Sequence, residues 1–384
     1  MTSRRVFLSL LASAPLRAKA SPIRSIETFR VDYPTQGRFR FFRNGVRFSV
    51  FVKVTCEDGS SGWGQSVPMP TWSYETPESV VTAIREYMAP ALIGRDSADI
   101  QGAHRAMNAA ISPSFSTGMP IAKAGIDLAL HDLIRQPLAA FWKRTPLKEL
   151  TLSWTVNPAT LEDTEKSVEE GKRLGYRHFN VKLAPDPKFD IEMCRIVRRL
   201  APNAFFWGDA NGGYQPEQAL AVAPKLADLG MNVFEQPVAA NRLTAFRDLK
   251  KLGAIPILMD EGVVSSVELR EFIALGLLDG IAMKPARTGG LFDARRQIEL
   301  ARENGLMVLG SGLTDPDLSL AASLQLYAAY GISEPCALNG PQFLSAVSYL
   351  QRPLAARSGA IAVPAGSGLG VEVKEDDIRA RAAR

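Results

Sequence analysis

Cysteine and histidine are scarce in this chain, with three of each among 384 residues. Cys56, Cys194 and Cys336 are odd in number, far apart and never in C-x-x-C spacing. That pattern excludes a disulfide framework and a thiolate zinc site, and reads the three as small core residues. No apolar run is long enough to span a bilayer, so no integral membrane span is expected. Basic residues exceed acidic ones by only five, 45 against 40, and are scattered along the chain. Without a long basic run there is no nucleic-acid face to propose. What is present in quantity is apolar: 46% of the residues are hydrophobic, enough for one large domain with its own core and a smaller one beside it.

The first twenty residues stand apart. Ser3-Arg4-Arg5-Val6-Phe7-Leu8 starts a twin-arginine pattern, Val6 to Leu11 is a short apolar stretch, and Ala18-Lys19-Ala20 is a small-x-small cleavage site. Residues 1–20 are therefore read as a Tat-type signal peptide, removed near Ser21 after engagement of the Tat translocon, with the periplasm as destination. A disordered basic terminus that happens to hold paired arginines is the alternative.

From residue 21 to about 145, alternation over Ile23 to Asp32 and over Phe48 to Glu57 predicts antiparallel strands, with Asp58-Gly59-Ser60-Ser61-Gly62 as a hairpin turn. Apolar residues at three- and four-residue spacing predict helices over Pro77 to Met88 and Ala122 to Ile134, giving an α+β module. After Thr151 the pattern becomes strand, helix, strand, helix. Strands are predicted near 151–156, 178–183, 205–209, 233–235, 257–260, 280–284, 306–310 and 335–338. Helices are predicted over Leu161 to Leu174, Phe189 to Leu200, Pro216 to Leu229, Ser266 to Ala274 and Leu291 to Asn304. Eight β-runs separated by helices fit a (β/α) barrel better than an open doubly wound sheet. The lack of G-x-G-x-x-G after the first strand argues the same way.

Five of those strands end on a charged residue: Lys182, Asp209, Glu235, Asp260 and Lys284, about 25 residues apart. Parallel closure gathers strand C-termini on one rim, which is the active face of such barrels. Buried carboxylates are costly to cluster without a counter-charge, and three of them flanked by two lysines fit a divalent cation with a base on either side. Any one of the acids alone reads more simply as a helix cap or loop charge, and either lysine alone as a solvated strand end. Oxygen donors without Cys or His nearby favour Mg2+ over Zn2+.

Val181-Lys182, Gly208-Asp209-Ala210-Asn211-Gly212-Gly213-Tyr214, Phe234-Glu235-Gln236-Pro237, Met259-Asp260-Glu261 and Lys284-Pro285-x-x-Thr288-Gly289-Gly290 resemble, in order and spacing, the enolase superfamily. The resemblance is nearest to its muconate-lactonizing branch, and extends to Gly62-Trp63-Gly64-Gln65, Ala122-Lys123-Ala124-x-x-Asp127 and Gly368-Leu369-Gly370-Val371-Glu372. It implies an α/β fold in which an N-terminal α+β capping domain (21–145) covers a modified TIM-type barrel (146–360), and a C-terminal segment (361–384) returns to the cap. It implies Mg2+ on Asp209, Glu235 and Asp260, with Lys182 and Lys284 as catalytic bases on two faces of a small-molecule carboxylate. Removal of an α-proton through an enediolate would then serve a racemase, epimerase or cycloisomerase, or else a syn-dehydratase of hydroxy acids. Relatives of this kind often form symmetric homo-oligomers.

Two departures bear on the activity. Asn180 stands where the family's K-x-K motif has its first lysine; it can hydrogen-bond a substrate carboxylate but adds no charge to depress the pKa of Lys182. Ala337-Leu338-Asn339 stands where dipeptide epimerases carry D-x-D, and no histidine follows the sixth strand, so neither a standard dipeptide epimerase nor a His-dependent racemase dyad is expected. A metal- and ligand-binding periplasmic protein without turnover is the reading from another class. Asn180, Asn211, Asp315, Asp317 and Asn339 are the candidate substrate contacts, with helix capping the alternative for Asp315 and Asp317. Thr288-Gly289-Gly290 reads as a tight strand-to-helix turn more readily than as a phosphate loop. Arg38-Phe39-Arg40-Phe41-Phe42-Arg43 is a candidate mobile loop over the substrate, with strand packing the alternative.

Overall fold

A computed structural model describes residues 21–382, apart from residues 38, 40, 43, 44 and 115. The proposed signal at residues 1–20 lies outside the described residues, as do Arg38, Arg40 and Arg43 of the candidate loop. The N-terminal half of the chain opens with an antiparallel sheet in which β1 (Ile23–Arg30) pairs with β2 (Val50–Cys56), and β2 with β3 (Ser61–Ser66). The turn between β2 and β3 is held by Asp58, whose Oδ1 accepts from Ser60 N at 3.0 Å, and Gly59 takes the positive φ of 81° that a side chain would resist.

The helix Pro120–Asp132 lies across this sheet, buried nearly all round. It can lie that close because a Cβ on Gly64 would come within 2.0 Å of Gly125 O, and one on Gly62 within 2.3 Å of Ala129 O. The glycines flanking Trp63 are thus packing residues. The Glu75 carboxylate caps the helix, accepting from Ile121 N at 2.7 Å and Ala122 N at 2.9 Å. The helix expected over Pro77 to Met88 is α-helical only for Pro77–Thr82, and Ala83–Met88 winds on as a π-helix.

Seven parallel strands then follow in sequence order: β4 (Trp154–Val156), β5 (Phe179–Lys182), β6 (Phe206–Asp209), β7 (Val233–Glu235), β8 (Ile257–Met259), β9 (Gly280–Met283) and β10 (Met307–Gly310). The eighth expected run is only a pair of bridges, Leu152 with Cys336 and Ser311 with Ala337. Those bridges close the ring, because Cys336 N donates to Thr151 O and Ala337 N to Gly310 O, each at 2.8 Å. The first expected run also divides: Glu149–Thr151 pairs antiparallel with Ala360–Ala362 outside the barrel, and only the second half enters it. Helices return each strand to the next, including Leu243–Leu252, which has no counterpart in the sequence expectations and stops at Gly253, φ 62°.

Side-chain alternation decides what faces the barrel axis. Trp207, Val233, Leu258, Leu309 and Ala337 form a closed apolar cluster of their own inside the ring. Two residues further along the same strands come Asp209, Glu235, Asp260, Ser311 and Asn339. The apolar layer is thus the floor, and the next layer up is polar. From the barrel the chain runs back to the N-terminal elements: Gly368 N donates to Gln136 O at 3.1 Å, Leu369 N to Asp132 Oδ1 at 3.2 Å, and Lys53 Nζ reaches Glu375 at 2.7 Å.

Candidate active site

Asp209, Glu235 and Asp260 bring carboxylate oxygens within 4.8 Å of one another, and all three are buried. They come from three adjacent strands, β6, β7 and the residue after β8, at the level where the parallel ladder ends. Lys182 Nζ donates to Asp209 Oδ2; Lys284 Nζ lies against Asp260 Oδ2 and 3.4 Å from Glu235 Oε1. The five residues singled out by their strand-end positions therefore meet at one point. From below, Trp207 Nε1 donates to Glu235 Oε2 at 2.8 Å and fixes that carboxylate on the barrel floor.

Of the partners of this cluster, Arg287, Glu261 and Trp72 were not singled out in the sequence, whereas Asn211 was expected as a substrate contact. Arg287 is buried and its Nη1 donates to Asp260 Oδ1, while Nε and Nη2 have no partner. It occupies an unspecified position of the Lys284-Pro285-x-x-Thr288 stretch, so spacing carried no signal for it. Glu261 Oε1 accepts from Asn211 Nδ2 at 3.0 Å and from Trp72 Nε1. Asn211, at φ 46°, also donates its backbone N to Asp209 Oδ1 at 2.8 Å and its Nδ2 to Asp209 Oδ2 at 3.0 Å. Its side chain thus orients a carboxylate of the triad.

Trp72 comes from the N-terminal half of the chain and places its ring centroid 5.3 Å from Lys182 Nζ, 5.1 Å from Lys284 Nζ and 4.9 Å from Arg287 Cζ. Phe41 stacks on Trp72 with centroids 4.7 Å apart, Phe39 packs edge-on against Phe41 at 5.4 Å, and Phe39 stacks on Phe343 at 4.6 Å. These rings form a continuous aromatic roof from the carboxylate cluster to the chain beyond the eighth barrel segment.

The electrostatics ask for a further cation. Burial, together with the charge on Asp209, pushes the Glu235 carboxyl up to about 8 despite Lys284 beside it. Burial works to raise Asp260 too, but the charges of Arg287 and Lys284 outweigh it and hold that carboxyl below its ordinary value. Burial works to lower Lys284, and the charges on Asp260 and Glu235 more than offset it, so its ammonium is held. Three buried carboxylates with oxygen donors alone fit a hard divalent ion such as Mg2+, and such an ion would relieve Glu235.

The remaining candidates fall on different parts of the barrel mouth. Asn180 is buried on the inward side of β5, two residues below Lys182, and neither its Oδ1 nor its Nδ2 has a partner. Asn339 Nδ2 donates to Thr155 Oγ1 at 3.3 Å. Asp315 and Asp317, expected as substrate contacts or helix caps, bond within the protein. Asp315 accepts from Ser319 Oγ at 2.9 Å. Asp317 takes Tyr33 OH at 2.6 Å, Ser348 Oγ at 2.7 Å and Tyr349 N at 2.7 Å. The N-cap of the helix Asp317–Ala329 is Pro316, with no side-chain cap. Burial raises both carboxyls, and their bonds are internal.

The segment that follows Lys284 is anchored from the other half of the chain. Asp127, on the helix Pro120–Asp132, accepts from Leu291 N at 2.5 Å, Phe292 N at 3.3 Å and His104 Nε2 at 2.8 Å, and lies 3.2 Å from His131 Nδ1. Gly290, φ 98°, is where the backbone passes this carboxylate, and a Cβ there would strike Asp127 Oδ1 at 2.2 Å. The paired glycines after Lys284 thus allow a close approach between two parts of the fold, and no anion is needed to account for them.

A closed ring of parallel strands, roofed by aromatic residues from a separate α+β layer, with acids and lysines converging at the strand ends, defines a capped-barrel enzyme. Comparison with known proteins agrees. Residues 162–377 match the family described as "Enolase C-terminal domain-like", and residues 40–149 the "Mandelate racemase / muconate lactonizing enzyme, N-terminal domain". A chloromuconate cycloisomerase of Cupriavidus necator is 30% identical over 368 residues, covering 93% of this chain and 98% of that one. An N-succinylamino acid racemase of Thermus thermophilus is 28% identical over 346 residues, covering 87% and 91%. The crystal structure of 2-chloromuconate cycloisomerase from Rhodococcus opacus superposes with a TM-score of 0.85 at 28% identity, over 94% of this chain and 99% of that one. The chain belongs to the enolase superfamily, in its muconate-lactonizing branch. It is an enzyme of the isomerase kind found there. No helix among the described residues is long and apolar enough to cross a membrane.

Proposed function

We propose that the protein removes the α-proton of a small carboxylate substrate to form an enediolate, either as a racemase or epimerase that returns a proton to the same carbon, or as a cycloisomerase whose enediolate instead breaks the C–O bond β to the carboxylate. The observation that carries this reading is the pair of buried lysines, Lys182 and Lys284, held against one buried triad of Asp209, Glu235 and Asp260. Asp209, Glu235 and Asp260 would hold the ion, and Mg2+ there supplies positive charge for the two oxygens of the deprotonated acid.

Lys182 and Lys284 arise from β5 and the end of β9, four strands apart in the ring, so a planar intermediate between them presents one face to each. One ammonium must give up its proton to act as base while the other stays charged as acid, which is the asymmetry proton return requires. Arg287 and Lys284 together keep Asp260 ionised as a ligand. Trp72 and Phe41 exclude water from above, which strengthens every charge interaction beneath them.

The test is proton NMR in D2O, with Mg2+ and a panel of N-acyl amino acids, proline derivatives, sugar acids and muconate. Loss of an α-proton signal that needs both the ion and a lysine supports the reading. Loss of water from a hydroxy acid instead would assign a syn-dehydratase, and bound Mg2+ with no exchange across the panel would assign a binding protein. The Arg4-Arg5 pair and the Ala18-Lys19-Ala20 site support Tat export to the periplasm. Cleavage near Ser21 in a periplasmic extract is the check.

A further inference from the structure

One wall of the barrel interior is polar but carries no charge. Thr155 and Asn180 lie in register on β4 and β5, and Asn339 reaches Thr155 from the chain that closes the ring. Thr155 and Asn180 are each 1% exposed and Asn339 is 6% exposed. Gln342 is used up in holding this wall, since its Oε1 accepts from Thr155 N at 3.0 Å and its Nε2 donates to Thr155 O at 2.8 Å. Asn180 Oδ1 and Nδ2 and Asn339 Oδ1 are nevertheless left without partners. Buried amide groups are ordinarily hydrogen-bonded, and those that are not ask for a ligand or water. Alternation along β5 puts Asn180 on the same inward side as Lys182, so its free atoms face the space where the reaction takes place.

We propose that Asn180 and Asn339 form a subsite for an uncharged group on the substrate that both donates and accepts hydrogen bonds, an amide or a hydroxyl set beyond the reacting carboxylate. The inference rests on the proposed chemistry for the location of that carboxylate. A second carboxylate suits the wall poorly, because its oxygens would meet two free acceptor oxygens, Asn180 Oδ1 and Asn339 Oδ1. An ammonium suits it poorly as well, because neither Thr155, Asn180 nor Asn339 carries a negative charge. A secondary amide matches it atom for atom, with its N–H toward an asparagine Oδ1 and its C=O toward Asn180 Nδ2. Rotating the Asn180 amide by half a turn changes nothing in the argument, since both of its ends are free.

The experiment is calorimetric binding to the Mg2+-loaded protein. The probes are four acids of matched length: an N-acetyl amino acid, the ketone analogue with CH2 in place of N–H, a hydroxy acid and a dicarboxylate. The expected result is binding of the amide or the hydroxy acid roughly tenfold or more tighter than the ketone analogue. Which of the two wins distinguishes an amide from a hydroxyl. Asn180→Leu should bring that preference to within about twofold, and Asn180→Ser, which keeps a donor and an acceptor, should restore part of it. A preference unchanged in Asn180→Leu, a dicarboxylate bound best, or no probe bound at all would overturn the proposal. Solvent exchange at the α-carbon is read in the same samples: exchange without the preference sinks this inference alone, and the preference without exchange sinks the isomerase reading alone.

Discussion

Replacing Asp127 by asparagine should loosen the joint between the N-terminal elements and the barrel and slow catalysis without touching the carboxylate triad. Asp127 is fully buried, and its carboxylate accepts from two backbone N–H groups at the start of the helix Leu291–Glu303 and from His104 Nε2, with His131 Nδ1 3.2 Å away. An asparagine keeps one acceptor oxygen and turns an NH2 toward a backbone N–H, so at least one donor is orphaned and the charge is lost. Removing one partner from a buried charged group costs about 3–5 kcal/mol. At the roughly 1.2 °C per kcal/mol that the unfolding entropy of a chain this long gives, the midpoint of thermal unfolding should fall by roughly 4–6 °C. Burial works to raise this carboxyl, but the charges and hydrogen bonds of His131 and His104 outweigh it and hold it below the ordinary range. Its stabilisation is therefore present above the ordinary carboxylate pKa and lost only as pH falls through the depressed value, so the gap between the two proteins should persist at pH 5. Because Leu291 follows directly on the turn that Lys284 leads into, α-proton exchange should drop by about tenfold or more through lost positioning. Thermal scans and exchange rates at pH 7 check both. A variant that melts within 2 °C of the parent and exchanges at the parent rate would refute the reasoning.

Lys182→Ala and Lys284→Ala should each reduce α-proton exchange by about a thousandfold or more while Mg2+ still binds, as calorimetry would show; exchange at the parent rate in either variant removes that lysine from the mechanism. Trp72→Ala should raise KM by about tenfold, because the indole is the part of the roof that meets both lysines and Arg287, and saturation kinetics would show it. Gly64→Ala should destabilise the N-terminal layer by about 1–3 kcal/mol or more, since the new methyl lands 2.0 Å from Gly125 O on a packed helix backbone; denaturant unfolding is the measurement. Asp132, which accepts from Trp63 N and Leu369 N, has its carboxyl raised by burial to about 6. A raised carboxyl contributes most when protonated and loses that contribution as pH climbs from its unfolded value near 3.9 to 6, so the destabilisation caused by Asp132→Asn should shrink by roughly 2 kcal/mol between pH 4 and pH 7.

Much of this was legible along the chain because it is local. Alternation and helical spacing are set by residues close in sequence, and they placed β5 through β10 to within about a residue. A charge closing an apolar β-run is a local signal too, and parallel closure is enough to bring Lys182, Asp209, Glu235, Asp260 and Lys284 to one rim. The sequence by itself therefore determined the barrel and the five strand-end charges that converge in it. Tertiary structure decided what surrounds that cluster. Trp72 reaches Glu261, Asp127 holds Leu291, and Tyr33 takes up Asp317, each across a span of more than a hundred residues. No periodicity relates such partners, since the contact exists only after two independently folded surfaces have packed. The same holds for Gly290 and Gly64, whose missing side chains have meaning only beside the particular backbone or carboxylate that approaches them. Arg287 and the unpartnered Asn180 were likewise settled by burial, because a polar side chain becomes informative only when the fold has removed the water that would otherwise satisfy it.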